Sequence, residues 1–210
     1  MKAIIFGSTG GTGCQLVTQM LKQGHEVTAF ARNPDKITQI HKNLTIVKGN
    51  ILDISAVEQA VQEHDVVLCT LGMPNIMDKS GLRAKGTKNI IQVMEKMNIK
   101  RLVCQSSLGT GDSHRLLPWH YKYLISPLFM KQLYSDHLIQ ESHIKASSLE
   151  WVIVRPGVLS DGKQTGVYQY GASTDNKAIK AKISRADTAN FMLKQLDSSD
   201  FLYKTPYISY

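Results

Sequence analysis

The chain has 210 residues, of which 42% are hydrophobic, and this length predicts a single domain with a buried core. Lysine and arginine outnumber aspartate and glutamate by 25 to 17, and the net charge of +8 is compatible with an anionic ligand. No long run of like charges occurs, so a nucleic-acid tail is not predicted. No apolar run reaches membrane-spanning length and no signal-peptide pattern opens the chain, so we expect a cytoplasmic protein without membrane contact.

The predicted elements alternate between strand and helix. In chain order they are a strand at 2–6, a helix at 14–23, strands at 26–31 and 44–48, a helix that starts at Ser55 with Glu58 completing a capping box, a strand at 65–71, a helix at 86–97, a strand at 101–105, a helix at 130–146, a strand at 151–154 and a helix through residue 196 capped by Ser184. This order predicts a single α/β domain over residues 1–210, with a Rossmann-type doubly wound parallel sheet.

Two longer segments without a helix or strand pattern, residues 73–82 and 108–128, follow predicted strand ends. Doubly wound sheets bind ligands at the carboxyl ends of their strands. We therefore expect these two segments to form the substrate cleft.

The three cysteines, Cys14, Cys69 and Cys104, lie far apart and in or beside apolar runs. Their spacing matches no metal site, and their number is odd. They are predicted to be buried free thiols in a reducing compartment, and no metal site is predicted.

The segment GSTGGTG stands between the first predicted strand and the first predicted helix. Gly7 permits a tight turn, Gly10 lets a diphosphate approach the backbone, and Gly13 lets the helix pack on the strand. A glycine-rich turn without a ligand is the alternative. The strand before the loop and the helix after it favour binding of a dinucleotide.

The end of the second predicted strand indicates which dinucleotide is bound. A protein that prefers NAD carries Asp or Glu there, whereas this chain carries Arg32, with Lys36 four residues on. The alternative is a pair of solvated surface cations. Because the acid is absent and a base is present, the sequence predicts NADP(H), with the 2′-phosphate held by Arg32 and Lys36.

The segments GSTGGTG, ARNPDK, KGNILD, CQSSLG, VIVRPGVL and ISRADTANFML occur together in this chain. In this combination the whole chain resembles the atypical short-chain dehydrogenases/reductases with NmrA-like NAD(P)-binding folds, and among them the biliverdin and flavin reductases. The resemblance implies cofactor contacts at Gly7, Thr9, Gly10, Gly11, Thr12, Gly13, Arg32, Lys36, Asn50, Ile51, Leu71, Gly72, Ser106, Ser107, Pro156 and Val158.

The chain departs from the family pattern at the catalytic positions. It has no Tyr-x-x-x-Lys pair where classical members need one, and His137 stands roughly at the position of that lysine. Val158 stands where related enzymes carry a histidine near the substrate, and Asn50 replaces the usual aspartate. Oxidation of an alcohol to a ketone is therefore disfavoured. Ser107 and His137 are the catalytic candidates, and a structural role for His137 is equally open.

The region around residues 108–123 mixes aromatic and cationic side chains that could contact a substrate. Trp119 could stack on a flavin or tetrapyrrole, Arg115 could meet its phosphate or propionates, and Leu108 adjoins the predicted cofactor site. An ordinary surface loop is the alternative.

The combined prediction is an NADPH-dependent reductase. It would transfer hydride to a planar conjugated small molecule, a flavin such as FMN or FAD, or biliverdin, with the protein aligning the two rings. The alternatives are a non-catalytic NmrA-like redox sensor that binds NADP, and a quinone reductase. The resemblance to family members of this size predicts a monomer.

Overall fold

Strands and helices alternate along the chain in a computed structural model that describes residues 1–73, 78–173 and 179–210, apart from the side chains of residues 125–127 and 129. The elements are β1 (Lys2–Phe6), α1 (Gly11–Lys22), β2 (Glu26–Ala31), β3 (Leu44–Lys48), α2 (Ile54–Val61), β4 (Val66–Cys69), α3 (Leu82–Lys96), β5 (Arg101–Gln105), α4 (Lys131–Lys145), β6 (Glu150–Pro156), β7 (Val158–Ser160), β8 (Gln169–Gly171), β9 (Lys182–Ser184), α5 (Arg185–Lys194) and β10 (Tyr207–Ser209).

The main sheet has eight strands in the order β3-β2-β1-β4-β5-β6-β10-β8. All neighbouring strands are parallel except β10 and β8, which are antiparallel. Because β1 lies between β2 and β4, the chain leaves β1 in one direction and later returns to its other side. The carboxyl ends of β1 and β4 therefore flank a switch point, where doubly wound sheets bind ligands.

Helices cover both faces of the sheet, and the side chains of β1 contribute to the core on each face. Ile4 and Phe6 point into one core, which also contains buried residues of α2, α3 and α4. Ala3 and Ile5 point into the other core, with buried residues of α1 and α5. Side chains alternate along a strand, so a continuous apolar run is what a strand covered on both faces requires. The predicted single-domain Rossmann-type fold is confirmed.

Some predicted boundaries are wrong. Helix α1 begins at Gly11, inside the glycine motif, and α3 begins at Leu82, directly after Gly81 in the left-handed conformation. Helix α2 is capped by Asp53, whose carboxylate accepts hydrogen bonds from the Ser55 and Ala56 N–H groups. The predicted cap at Ser55 is thus two residues late, because the charged carboxylate of Asp53 accepts from the N–H groups that open the helix.

Of the two segments predicted to lack regular structure, residues 108–128 differ from that expectation. Residues 108–128 contain a 3₁₀ helix at Gly111–Leu116 and most of a π-helix at Tyr121–Met130, which runs directly into α4. Within residues 73–82, residues 74–77 lie outside the described residues. The predicted cap of α5 is confirmed, since the Ser184 hydroxyl accepts a hydrogen bond from the Asp187 N–H at 2.9 Å.

All three cysteines are free, and the predicted burial is confirmed for Cys69 and Cys104 but wrong for Cys14, which is partly exposed. Cys69 on β4 and Cys104 on β5 lie opposite each other in the register of these two strands. Across the described residues, no helix is long and apolar enough to cross a membrane.

We predict that Gly13→Ala destabilises the fold by about 2 kcal/mol or more, because a Cβ at this buried position has no space. That Cβ would lie only 2.1 Å from the Gly7 carbonyl oxygen, a backbone atom that cannot move aside without shifting the loop. Gly72→Ala is the matched control, since a Cβ there meets no atom within 4 Å. Urea unfolding measures the free energy of unfolding of both variants, and equal values would contradict the lack of space for a side chain at Gly13.

Candidate cofactor and active site

The glycine loop folds back on itself at distances that exclude side chains. Gly7 has a φ of +83°, and a Cβ on it would lie 2.4 Å from the Thr70 carbonyl oxygen at the end of β4. The Gly10 N–H donates to the Gly7 carbonyl at 2.9 Å. The backbone of the loop therefore forms the wall of a cleft between β1 and β4.

The first turn of α1 presents unshielded backbone dipoles at this loop. Gly10 is the N-cap residue and supplies no side-chain cap, and the first turn contains no acidic residue. The first N–H groups of a helix have no partner within the helix, and the helix dipole places partial positive charge there. This end of α1 is therefore suited to an anion such as a diphosphate.

A cleft with a volume of about 250 Å³ opens beside the loop at the carboxyl ends of β1, β2 and β4. The predicted cofactor residues that line it are Gly7, Thr9, Gly10, Arg32, Ile51, Leu71 and Gly72. The structure adds Phe30, Ala31 and Gly49, which the sequence did not predict, and Met73 and Leu82, the two ends of a segment expected to form the substrate cleft. The cleft thus joins the glycine loop to the ends of the neighbouring strands.

Phe30 is the main unpredicted wall of the cleft. Its ring packs 5.0 Å from that of Phe6, and a Cβ on Gly49 would lie 2.4 Å from it. The Ser8 hydroxyl donates to the Phe30 carbonyl at 2.9 Å and ties the glycine loop to the end of β2. Gly49 directly after a predicted strand was a signal in the sequence for this close approach.

The two predicted 2′-phosphate residues are placed differently. Arg32 is exposed, lines the cleft, and has no ion-pair partner among the described residues. Lys36 ends a short 3₁₀ turn and is exposed outside the cleft lining. Asn50 is also outside the lining, and its side-chain oxygen accepts from the Leu52 N–H at 3.1 Å. Arg32 is therefore the cation positioned for an anion in the cleft.

The residues predicted to border the nicotinamide follow β5 and β6. Ser106 is buried and its hydroxyl donates to Glu141 Oε1 at 2.8 Å, whereas the Ser107 hydroxyl is half-buried and lies 3.3 Å from the Leu108 carbonyl. Pro156 ends β6 within the fold, and Val158 is exposed on β7. Of the two serines, Ser107 is the more available to a ligand.

Glu141 belongs to a buried ion pair behind Ser106. Arg155 donates from Nε and Nη2 to the two Glu141 oxygens at 2.9 and 2.7 Å, and from Nη1 to Asp112 at 2.6 Å. Burial raises the pKa of Glu141, but its bonds with Arg155 and Ser106 outweigh burial and lower the pKa below its ordinary value. Sequence reasoning missed Glu141, because a charge within a helix resembles a solvated surface residue.

His137 lies in the interface of α3 and α4 rather than in the cleft lining. Its ring is buried, and Nδ1 lies 2.9 Å from the side-chain oxygen of Gln140. The Gln140 side-chain N–H donates to the Thr87 hydroxyl on α3. Burial, together with the charge of Arg83, lowers the pKa of His137 to about 4. The structure does not bring His137 together with the cofactor residues, and its contacts are those of a neutral group in the helix interface.

The predicted substrate residues are not brought together. Trp119 and Arg115 are exposed, and the lining of the cleft includes neither. Leu108 is buried in a small apolar cluster whose other members include Leu116, Ile179 and Tyr207. The apolar environment of Leu108 makes it part of the support for the segment that follows β5.

Comparison with known proteins identifies the family. A family model described as NAD(P)H-binding matches residues 7–199, which is most of the chain. The protein therefore belongs to the NAD(P)H-binding family. Its sequence is 26% identical to the YwnB protein of Bacillus subtilis over 212 residues, an alignment that covers 94% of this chain and 92% of YwnB.

Two solved structures share the fold. ChuY of Escherichia coli O157:H7, described as an anaerobilin reductase, is 23% identical with a TM-score of 0.82, and the match covers 100% of this chain and 97% of that one. A short-chain dehydrogenase/reductase of Veillonella parvula in complex with NADP is 19% identical with a TM-score of 0.82, covering 100% and 94% of the two chains. At these identities the likeness shows the Rossmann-type fold.

We predict that His137→Asn makes stability less dependent on pH. A histidine in an unfolded chain has a pKa of about 6.5, whereas His137 in the folded protein has a pKa of about 4. Between these two pH values the unfolded chain binds a proton that the folded chain does not, so stability falls as the pH falls. Between pH 7 and pH 5 the wild type should lose about 2 kcal/mol more than the variant.

Urea unfolding at the two pH values measures this difference, and His143→Asn on the same helix controls for the loss of a histidine. Parallel pH curves for the wild type and the His137 variant would contradict the buried, neutral state of this ring.

Proposed function

We propose that the protein is an NADPH-dependent reductase that transfers hydride to a planar conjugated acceptor, either a flavin such as FMN or FAD, or biliverdin. The observation that carries the proposal is the position of Arg32. It lies at the end of β2, exposed in the lining of the cleft that the glycine loop forms. A guanidinium there can bind a 2′-phosphate by charge-assisted hydrogen bonds.

The residues of the cleft fit the rest of the cofactor. The close approaches at Gly7 and Gly13 leave backbone surface for a diphosphate, and the uncapped start of α1 supplies N–H donors. Ile51 and Leu71 offer apolar surface to the adenosine half. Bound NADPH supplies the hydride, and the protein holds its nicotinamide near Ser107, Pro156 and Val158, at the ends of β5 and β6.

The acceptor class follows from the proton donors that the chain lacks. Its sequence contains no Tyr-x-x-x-Lys pair at the catalytic position, and His137 is buried away from the cleft lining. A ketone needs a positioned acid, whereas a flavin or biliverdin needs mainly ring alignment, because its proton can come from solvent. The description of ChuY as an anaerobilin reductase supports a conjugated acceptor, and the NADP complex of the Veillonella protein supports the cofactor.

The proposal is tested by mixing the purified protein and NADPH with FMN, FAD, biliverdin or a soluble benzoquinone and following loss of NADPH absorbance. We expect turnover with FMN, FAD or biliverdin. Turnover with the quinone but with none of the other three compounds would mean that the acceptor is a quinone rather than a flavin or biliverdin. Tight NADPH binding without any turnover would contradict the reductase and favour a redox sensor.

We predict that Arg32→Glu weakens NADPH binding by about 100-fold, because it removes a charge-assisted contact and adds repulsion. NADH lacks the 2′-phosphate, so its dissociation constant should change by less than about threefold. Fluorescence titration measures both cofactors, with Lys22→Glu at the far end of α1 as the control for charge reversal. An equal loss for NADPH and NADH would show that Arg32 does not read the 2′-phosphate.

A further inference from the structure

Arg185, the first residue of α5, lies across the glycine loop. A Cβ placed on Gly11 would meet Arg185 Cδ at 2.3 Å and Nε at 2.6 Å. Helices α1 and α5 pack against each other on one face of the sheet, and this packing brings the arginine to the start of α1. The missing side chain of Gly11 therefore makes room for a cation contributed from 174 residues further along the chain.

The glycine loop itself contains no cationic side chain, since its sequence is GSTGGTG. Its attraction for a diphosphate comes from backbone N–H groups and the dipole of α1 alone. Arg185 is a cation that tertiary packing adds at the same end of this helix, beside Gly11, whereas Arg32 follows β2 and lines the cleft. A diphosphate at the start of α1 would lie beside its guanidinium.

Arg185 is held by one exposed ion pair, which leaves its other N–H groups available to a ligand. Its Nη1 pairs with Asp161 Oδ1 at 2.7 Å, and the Asp161 side chain is 93% exposed. Exposed ion pairs of this kind contribute little to stability. Within the described part of the chain the pair engages only Nη1, so the remaining N–H groups can bind an anion.

We propose that Arg185 is a further cofactor-binding residue, which contacts the diphosphate of the dinucleotide over Gly11. The inference rests on the proposed function only for its cofactor and is independent of the acceptor. Arg185 and Arg32 then divide the recognition between them. Arg185 binds the diphosphate that every dinucleotide carries, and Arg32 binds the 2′-phosphate that distinguishes NADPH.

The test measures binding alone, by calorimetric titration of Arg185→Gln with NADPH, NADH, ADP-ribose and adenosine 2′-monophosphate. The first three carry the diphosphate, and their dissociation constants should each rise about tenfold. Adenosine 2′-monophosphate lacks it and should change less than twofold. Lys194→Gln removes the same charge from the far end of α5 and should leave all four affinities unchanged.

Asp161→Asn distinguishes a role of Arg185 in contacting the diphosphate from a structural role of its ion pair with Asp161. If Arg185 binds the diphosphate, the loss of Asp161 leaves NADPH affinity within about twofold, because the exposed pair is weak. An equal loss of NADPH affinity in Asp161→Asn and Arg185→Gln would overturn the proposal, because it would show that the Arg185–Asp161 ion pair acts structurally. Unchanged NADPH binding in Arg185→Gln would overturn it outright. No acceptor is present, so failure of the reductase activity cannot produce either result.

Discussion

The close approach of the Gly13 backbone to the Gly7 carbonyl is the constraint on which the cofactor cleft depends. It lets α1 start directly after β1 and pack on the sheet with its first N–H groups facing the carboxyl end of β1. Gly7 also touches the Thr70 carbonyl, so the same loop is fixed against β4. Any side chain at these positions would separate the strands from the helix whose dipole the site uses.

The sequence predicts the sheet well where local pattern and burial agree. Five of the first six strands are largely apolar runs that helices cover on both faces, whereas the edge strand β3 is partly exposed. The strand β10 at Tyr207–Ser209 was missed although it lies between β6 and β8 in the sheet. A run of three residues carries no period that could be recognised, and its place is decided by the preceding chain rather than by its own composition.

The same distinction divides the candidate site. The half around the glycine loop is encoded in one contiguous loop and one strand end, so Gly7, Gly10 and Arg32 could be predicted to share a cleft, and they line it. The other half depends on contacts between distant elements. Neither the burial of His137 between two helices nor the burial of Leu108 in an apolar cluster follows from the residues beside them. Arg185 at Gly11 is likewise visible only after α5 has packed on α1.

The buried pair of Arg155 and Glu141 bears on the chemistry that the site can support. Two charges taken out of water are stable only with good mutual geometry, and here both guanidinium edges and both carboxylate oxygens are engaged. Because Arg155 lowers the pKa of Glu141, this carboxylate stays ionised at neutral pH and accepts a hydrogen bond from the Ser106 hydroxyl. Glu141 is thus a fixed acceptor and not a proton donor. In the proposed reaction, such a site suits an acceptor that takes hydride from NADPH and its proton from water.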